Sequence, residues 1–71
     1  MRKTKALKKL AKRITELKDR EGISSEKLAF LSDLSKSEVR YIERGERDPK
    51  VSTLEKIANG LEVPLKELFD F

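Results

Sequence analysis

Lys36, Ser37, Arg40, Tyr41 and Arg44 recur at spacings that put them on one side of a short helix. Each carries hydrogen-bond donors or a flat ring, the equipment for meeting base edges or phosphate oxygens. Any one such Lys or Arg is ordinarily a solvated surface residue. The set on a single face is what points beyond solvation, although Tyr41 can also be read as a half-buried packing residue. The first turn of such a helix adds free backbone N–H groups and a partial positive charge.

Other chemistries lack their parts. The 71 residues include no Cys and no His, so disulfides, zinc-finger ligation and thiol or imidazole catalysis are excluded. Carboxylates and lysines are present, but nothing in the sequence gathers them around a pocket. Neither a Gly-rich phosphate loop nor a metal-ligand cluster occurs. The sequence therefore predicts a non-enzyme without cofactor, metal or evident small-molecule ligand.

The elements that must position the five side chains are helical. Leu7, Leu10, Ile14 and Leu17 form one apolar stripe in a segment from about Lys3 to Glu21, closed by Gly22 with Ile23 folding back. Lys8, Lys9, Lys12 and Arg13 fall largely off that stripe. Ser24 is the expected N-cap of a two-turn helix carrying Leu28, Ala29 and Leu31, after which the chain must turn sharply at Asp33, whose side chain tolerates the left-handed conformation better than most. Ser35 followed by Glu38 is a capping box, and Val39 and Ile42 point the next helix inward until Gly45 ends it. Ser52 or Thr53 is expected to cap a fourth helix bearing Leu54, Ile57, Ala58 and Leu61, with Gly60 near its end. A fifth starts at Pro64 and carries Leu65, Leu68 and Phe69. No strand-like alternation occurs, so the expected fold is all-α, a compact bundle of five short helices in a single domain over residues 1–71.

Charge is unevenly placed. Met1–Arg20 holds nine Lys/Arg against two Asp/Glu, whereas Glu21–Phe71 holds eight against eleven, so the first segment supplies the whole net charge of +4. Residues 1–9 form a basic extension of the first helix. Either this segment is attracted to phosphate or it is a solvated face that keeps a small protein soluble; charge alone does not choose. No apolar run is long enough for a membrane span, and no signal-peptide core follows the basic N-terminus. The cytoplasm is the expected location.

Helix, tight turn at Asp33-Leu34-Ser35 and second helix make a helix-turn-helix layout. Leu28, Ala29, Leu34, Val39 and Ile42 can share its small core, with Ala29 letting the helices approach steeply. Here the sequence resembles a family. Ile14-x-x-Leu17-Lys18, Gly22-Ile23-Ser24, Lys27-Leu28-Ala29, Leu34-Ser35-Lys36-Ser37-x-Val39, Ile42-Glu43-Arg44-Gly45, Arg47-x-Pro49 and Leu54-x-x-Ile57-Ala58 are similar to the phage Cro/repressor (XRE) type of helix-turn-helix protein. The likeness runs from about Leu10 to Phe69.

The resemblance implies a lambda-repressor-like domain that binds double-stranded DNA with its third helix in the major groove. On that reading Lys36, Ser37 and Tyr41 meet base edges, and adjacent Arg40 reads a base or a phosphate. Ser25 falls where the family often has a phosphate-holding Gln; being shorter, it would use its hydroxyl or its backbone N–H. Arg44, Arg47, Lys50 and Ser52 grip the sugar-phosphate backbone. Acidic Glu43, on the helix's inner side, pairs with Lys18 of the first helix.

The apolar residues left over concern partners. Phe30 sits where a polar residue is expected and is predicted to pack within the chain, with a partner surface as the other reading. Leu65, Leu68, Phe69 and Phe71 are too many for one side of so short a helix. Either they form a homodimer contact, the favoured reading, or the basic N-terminal extension folds over them. The expected function is a transcription regulator binding a palindromic operator as a homodimer. Small size and a long first helix fit the restriction–modification controller type, beside a phage repressor and an antitoxin. The alternative is a protein–protein interaction module using the same fold without reading DNA sequence.

Overall fold

A computed structural model describes residues 4–71. Four α-helices, α1 (Lys5–Arg20), α2 (Ser25–Leu31), α3 (Lys36–Glu43) and α4 (Val51–Leu61), are followed by a 3₁₀ turn over Leu65–Phe69. The fifth expected helix is thus a 3₁₀ turn. It opens when the Pro64 carbonyl accepts from Glu67 N–H at 2.9 Å, and only five residues long, it suits the tighter i→i+3 pattern. No strand occurs among the described residues, and residues 1–3 of the basic extension lie outside them.

Side-chain oxygens start three of the helices. Thr4 accepts from Leu7 N–H, Ser24 from Lys27 N–H, and Ser35 from Glu38 N–H at 3.1 Å, while Glu38 returns a bond to Ser35 N–H at 3.3 Å. The α3 capping box is therefore complete. For α4 the expected Ser52 or Thr53 cap is overturned: the helix starts at Val51, with Lys50 at the N-cap and no side-chain capping bond. Extended Lys50, directly after Pro49, already offers its carbonyl to Thr53 and Leu54 N–H, both at 3.0 Å, which leaves Ser52 and Thr53 inside the first turn.

All four helices end in one arrangement. The residue after the last turn takes a left-handed conformation, and two backbone bonds close over it. After α1 these are Gly22 N–H to Asp19 and Ile23 N–H to Lys18; after α3, Gly45 to Ile42 and Glu46 to Tyr41. The other two left-handed residues are not glycines: Asp33 (φ 56°) after α2 and Glu62 (φ 58°) after α4. Gly60 has a different task. A Cβ built there would lie 2.4 Å from Ser32 Oγ and 3.2 Å from backbone atoms of Leu31 and Ser32, so its missing side chain is what lets α4 close on the end of α2.

The core gathers Leu10, Ile14 and Leu17 of α1, Leu28 and Ala29 of α2, Val39 and Ile42 of α3, Leu54, Ile57, Ala58 and Leu61 of α4, and Leu68 of the 3₁₀ turn. Ile23 and Leu34 pack against it, as their positions in the sequence predict. Leu68, expected at a dimer surface, is 0% exposed within the single chain; the turn points it into the core, out of a second copy's reach. Phe30, expected to pack internally, is 78% exposed, and Leu31 is exposed with it. The short α2 already commits Leu28 and Ala29 to the core, which turns Phe30 outward under the Lys27 ammonium, 5.6 Å from the ring centroid.

Arg13, set off the apolar stripe in the sequence, clamps the 3₁₀ turn. Its Nε donates to the Glu67 carbonyl at 2.8 Å, and its guanidinium lies 3.2 Å from Glu67 Oε1 and 3.6 Å from Asp70 Oδ2. Four of the five α1 lysines sit in like-charge i,i+4 pairs, Lys5 with Lys9 and Lys8 with Lys12, each pair unfavourable by about 0.2–0.5 kcal/mol. The first turn holds no acid to suit the helix dipole.

Candidate nucleic-acid interface

The unit that presents the candidate residues is α2, a four-residue turn from Ser32 to Ser35, and α3. Each turn residue has a job. Ser32 caps α2, Asp33 reverses the chain, Leu34 N–H bonds the Ala29 carbonyl at 2.9 Å, and Ser35 caps α3. Val39 and Ile42 bury one side of α3, and the opposite side carries Lys36, Ser37, Arg40, Tyr41 and Arg44, all exposed. The sequence-predicted set thus lies together on one face.

Three contacts on that face were not legible in the sequence. Lys36 Nζ lies 3.1 Å from Glu26 Oε1, an exposed pair joining α3 to the first turn of α2. Arg44 lies 3.8 Å from Glu46. The Arg47 guanidinium sits over the Tyr41 ring, 4.9 Å from its centroid. Tyr41 is 40% exposed, so its ring is a platform for a loop cation rather than a core residue. Exposed pairs of this kind are worth about 0–1 kcal/mol, so Lys36 and Arg44 exchange them readily for other acceptors. Arg47 and Lys50 also border a groove of about 230 Å³ beside α3, with Glu38, Ile42 and Thr53 on its walls. Ser52 is exposed at the start of α4.

Behind α3, Lys18 Nζ lies 2.7 Å from Glu43 Oε2, as the resemblance implied. The same ammonium donates to Ser25 Oγ at 3.0 Å. Ser25 therefore turns its hydroxyl toward α1, as an acceptor inside a small polar network, rather than standing free at the start of α2. Both Lys18 and Glu43 side chains are nearly nine-tenths buried. One lysine thus ties α1, α2 and α3 together and fixes the tilt at which α3 is held. Its role could be inferred only by matching helix α1 to α3 across 25 residues of sequence.

A helix pair joined by a tight turn, with the second helix bare on its polar side, is the helix-turn-helix class. The chain belongs to the family described as helix-turn-helix (HTH_3), which it matches over residues 14–68. It is 44% identical over 50 residues to control protein C.BamHI of Bacillus amyloliquefaciens, a match covering 70% of this chain and 62% of that protein. It is 42% identical over 55 residues to the HTH-type transcriptional regulator SutR of Escherichia coli strain K12, covering 78% of this chain and 31% of that one. The chain thus spans less than two thirds of the length of these curated relatives. The crystal structure of the restriction-modification controller protein C.AhdI from Aeromonas hydrophila superposes with a TM-score of 0.87 at 41% identity, covering 89% of this chain and 96% of that one. No helix among the described residues is long and apolar enough to cross a membrane.

Proposed function

We propose that the protein is a sequence-specific regulator of transcription that binds a palindromic operator in double-stranded DNA as a homodimer, with α3 in the major groove. The observation that carries this reading is the uncovered outer face of α3, where donors of Lys36, Ser37, Arg40 and Tyr41 stand in a row above a buried Val39 and Ile42. A groove about 12 Å wide admits one helix, and each good side-chain–base pairing discriminates by about 1–3 kcal/mol. Arg44, Arg47, Lys50 and Ser52 flank that row and serve as phosphate contacts that set register. Arg47 stacked on Tyr41 couples the two sets. Ser25, engaged by Lys18, supports the first turn of α2 and offers phosphate its backbone. Membership of the family, and relatives named as control proteins and transcriptional regulators, support the same reading.

A lone module of this size reads few bases, and two copies about 34 Å apart add their contacts on one side of the duplex. The apolar groove of about 280 Å³ between α1, α4 and the C-terminus is where a second copy fits. Leu7, Leu10 and Leu54 line it with exposed Val51, Phe69 and Phe71. Ala6 and Leu7 belong to the basic extension, so its described part borders these phenylalanines without covering them. The dimer contact is assigned to Phe69 and Phe71, with half-buried Leu65 at its edge and Leu68 withdrawn into the core.

One observation favours the second reading, a protein-interaction module: Phe30 and Leu31 make an exposed apolar pair on α2, apart from the α3 face. Selection of bound duplexes from a random pool separates the two. A regulator enriches one symmetric sequence with half-sites one helical turn apart, whereas an interaction module enriches none.

A further inference from the structure

Arg13 and Lys18 of α1 have carboxylate partners, but Lys5, Lys8, Lys9 and Lys12 have none among the described residues. All four are exposed, and residues 4–15 contain no acid. The arrangement opposes the local stability of the helix twice over. Cations crowd the end where the dipole favours anions, and they sit in repelling i,i+4 pairs. Local rules broken without a packing gain are expected where a site acts on something outside the chain. The row also has a definite neighbour. The backbone of Gly45, at the end of α3, abuts Leu7 and Lys8, with 3.7 Å between the Lys8 Cα and a Cβ built on Gly45. Lys18–Glu43 holds the other half of α1 to the same end of α3. The lysine row is thus continuous with the end of α3 that carries Arg44.

We infer that Lys5, Lys8, Lys9 and Lys12 form a second phosphate-binding strip, which lies along the sugar-phosphate backbone of the same duplex that α3 enters. The inference rests on the DNA-binding reading above and extends its footprint to α1. From Lys5 to Lys12 the helix rises about 10 Å, the length along the duplex axis of about three phosphates of one strand. Two α1 lysines stacked at i,i+4 lie about 6 Å apart along the helix, a span of about two phosphate steps of one strand, and their mutual repulsion in the free chain is relieved on binding. The strip reads no bases. It raises affinity for every sequence and steepens the dependence on salt.

The test compares two double variants with the same change in charge, using the full chain and a random-sequence duplex of about two helical turns. In Lys8→Gln/Lys12→Gln the slope of log affinity against log salt becomes shallower by about 1.8 per bound chain, about 3.6 for the homodimer, at about 0.9 per phosphate contact, and affinity at about 0.1 M salt falls by more than about tenfold. In Lys56→Gln/Lys66→Gln, with the change moved to α4 and the C-terminal turn, the slope stays at the wild-type value. Thermal melting of the α1 variant, followed by circular dichroism, gives a midpoint at or above wild type, because a repulsion has been removed. A steep wild-type slope left unchanged by Lys8→Gln/Lys12→Gln would overturn the strip while sparing the DNA-binding reading. Equal shifts in both double variants would overturn it as well, assigning the effect to net charge. A flat wild-type slope would remove the DNA-binding reading and the strip together.

Discussion

Lys18 Nζ and Glu43 Oε2 stand 2.7 Å apart, with both side chains nearly nine-tenths buried, at the junction of α1 and α3. Neither could lie there alone, because an ion withdrawn from water needs its partner. Ser25 supplies the ammonium with a second acceptor. The pair holds α3 at one angle, which is a geometric service more than a stabilising one. Glu43→Ala, leaving Lys18 unpaired, is expected to lower stability by about 3 kcal/mol in urea unfolding. The double variant Lys18→Met/Glu43→Leu should recover most of that loss. If it melts like the single variant, the pair is itself the source of stability.

Gly60 and Ser32 give a prediction against habit. Gly to Ala within a helix ordinarily stabilises by about 0.5–1 kcal/mol. Here the added methyl meets Ser32 Oγ and two backbone atoms, and Gly60→Ala is expected to destabilise by about 1–3 kcal/mol. Ser32 Oγ is buried without a hydrogen-bond partner among the described residues, so Ser32→Ala alone should be neutral or mildly stabilising. Combined with Gly60→Ala it should recover part of the loss. Denaturant midpoints of the three variants check the order.

Asp33 and Glu62 occupy left-handed positions that glycine fills after α1 and α3. A non-glycine residue is disfavoured there by about 1–2 kcal/mol, partly offset by the looser unfolded chain that glycine brings. Glu62→Gly is expected to raise stability by up to about 1 kcal/mol. Asp33→Gly should gain less, because Asp tolerates this conformation better than Glu. Loss of stability in Glu62→Gly would contradict the backbone account.

Leu68 and Phe69 are neighbours with opposite roles. Phe69→Ala is expected to raise the monomer fraction in sedimentation and to leave the fold intact. Leu68→Ala should lower folding stability by about 2–5 kcal/mol as a core truncation. Equal effects on self-association and stability in the two variants would remove the 3₁₀ turn from the dimer contact.

The α3 face and its capping box were legible because both are local: Ser35 and Glu38 lie within one turn, and Lys36 to Arg44 follow one helical period. The inward placement of Leu10, Ile14, Leu17, Val39 and Ile42 was legible for the same reason. Phe30 was misplaced because periodicity ranks side chains by type, whereas a seven-residue helix offers room for only Leu28 and Ala29 in the core. Leu68 was misplaced because a 3₁₀ turn points its residues at a different angle from an α-helix. Arg13 with Glu67, Lys36 with Glu26, and Arg47 over Tyr41 join segments whose approach depends on tertiary packing, so no spacing announces them. The α4 start was missed because an extended backbone after Pro49 needs no side-chain cap.

The central claim is that the outer face of α3 reads base edges while the residues beside it hold phosphate. The direct measurement is the affinity of wild type, Lys36→Ala, Tyr41→Ala and Lys50→Ala for the selected operator and for random duplex at one salt concentration. The first two variants should lose about 1–3 kcal/mol of discrimination between the two DNAs, and Lys50→Ala should weaken both equally. If all three variants weaken operator and random duplex alike, α3 does not read sequence.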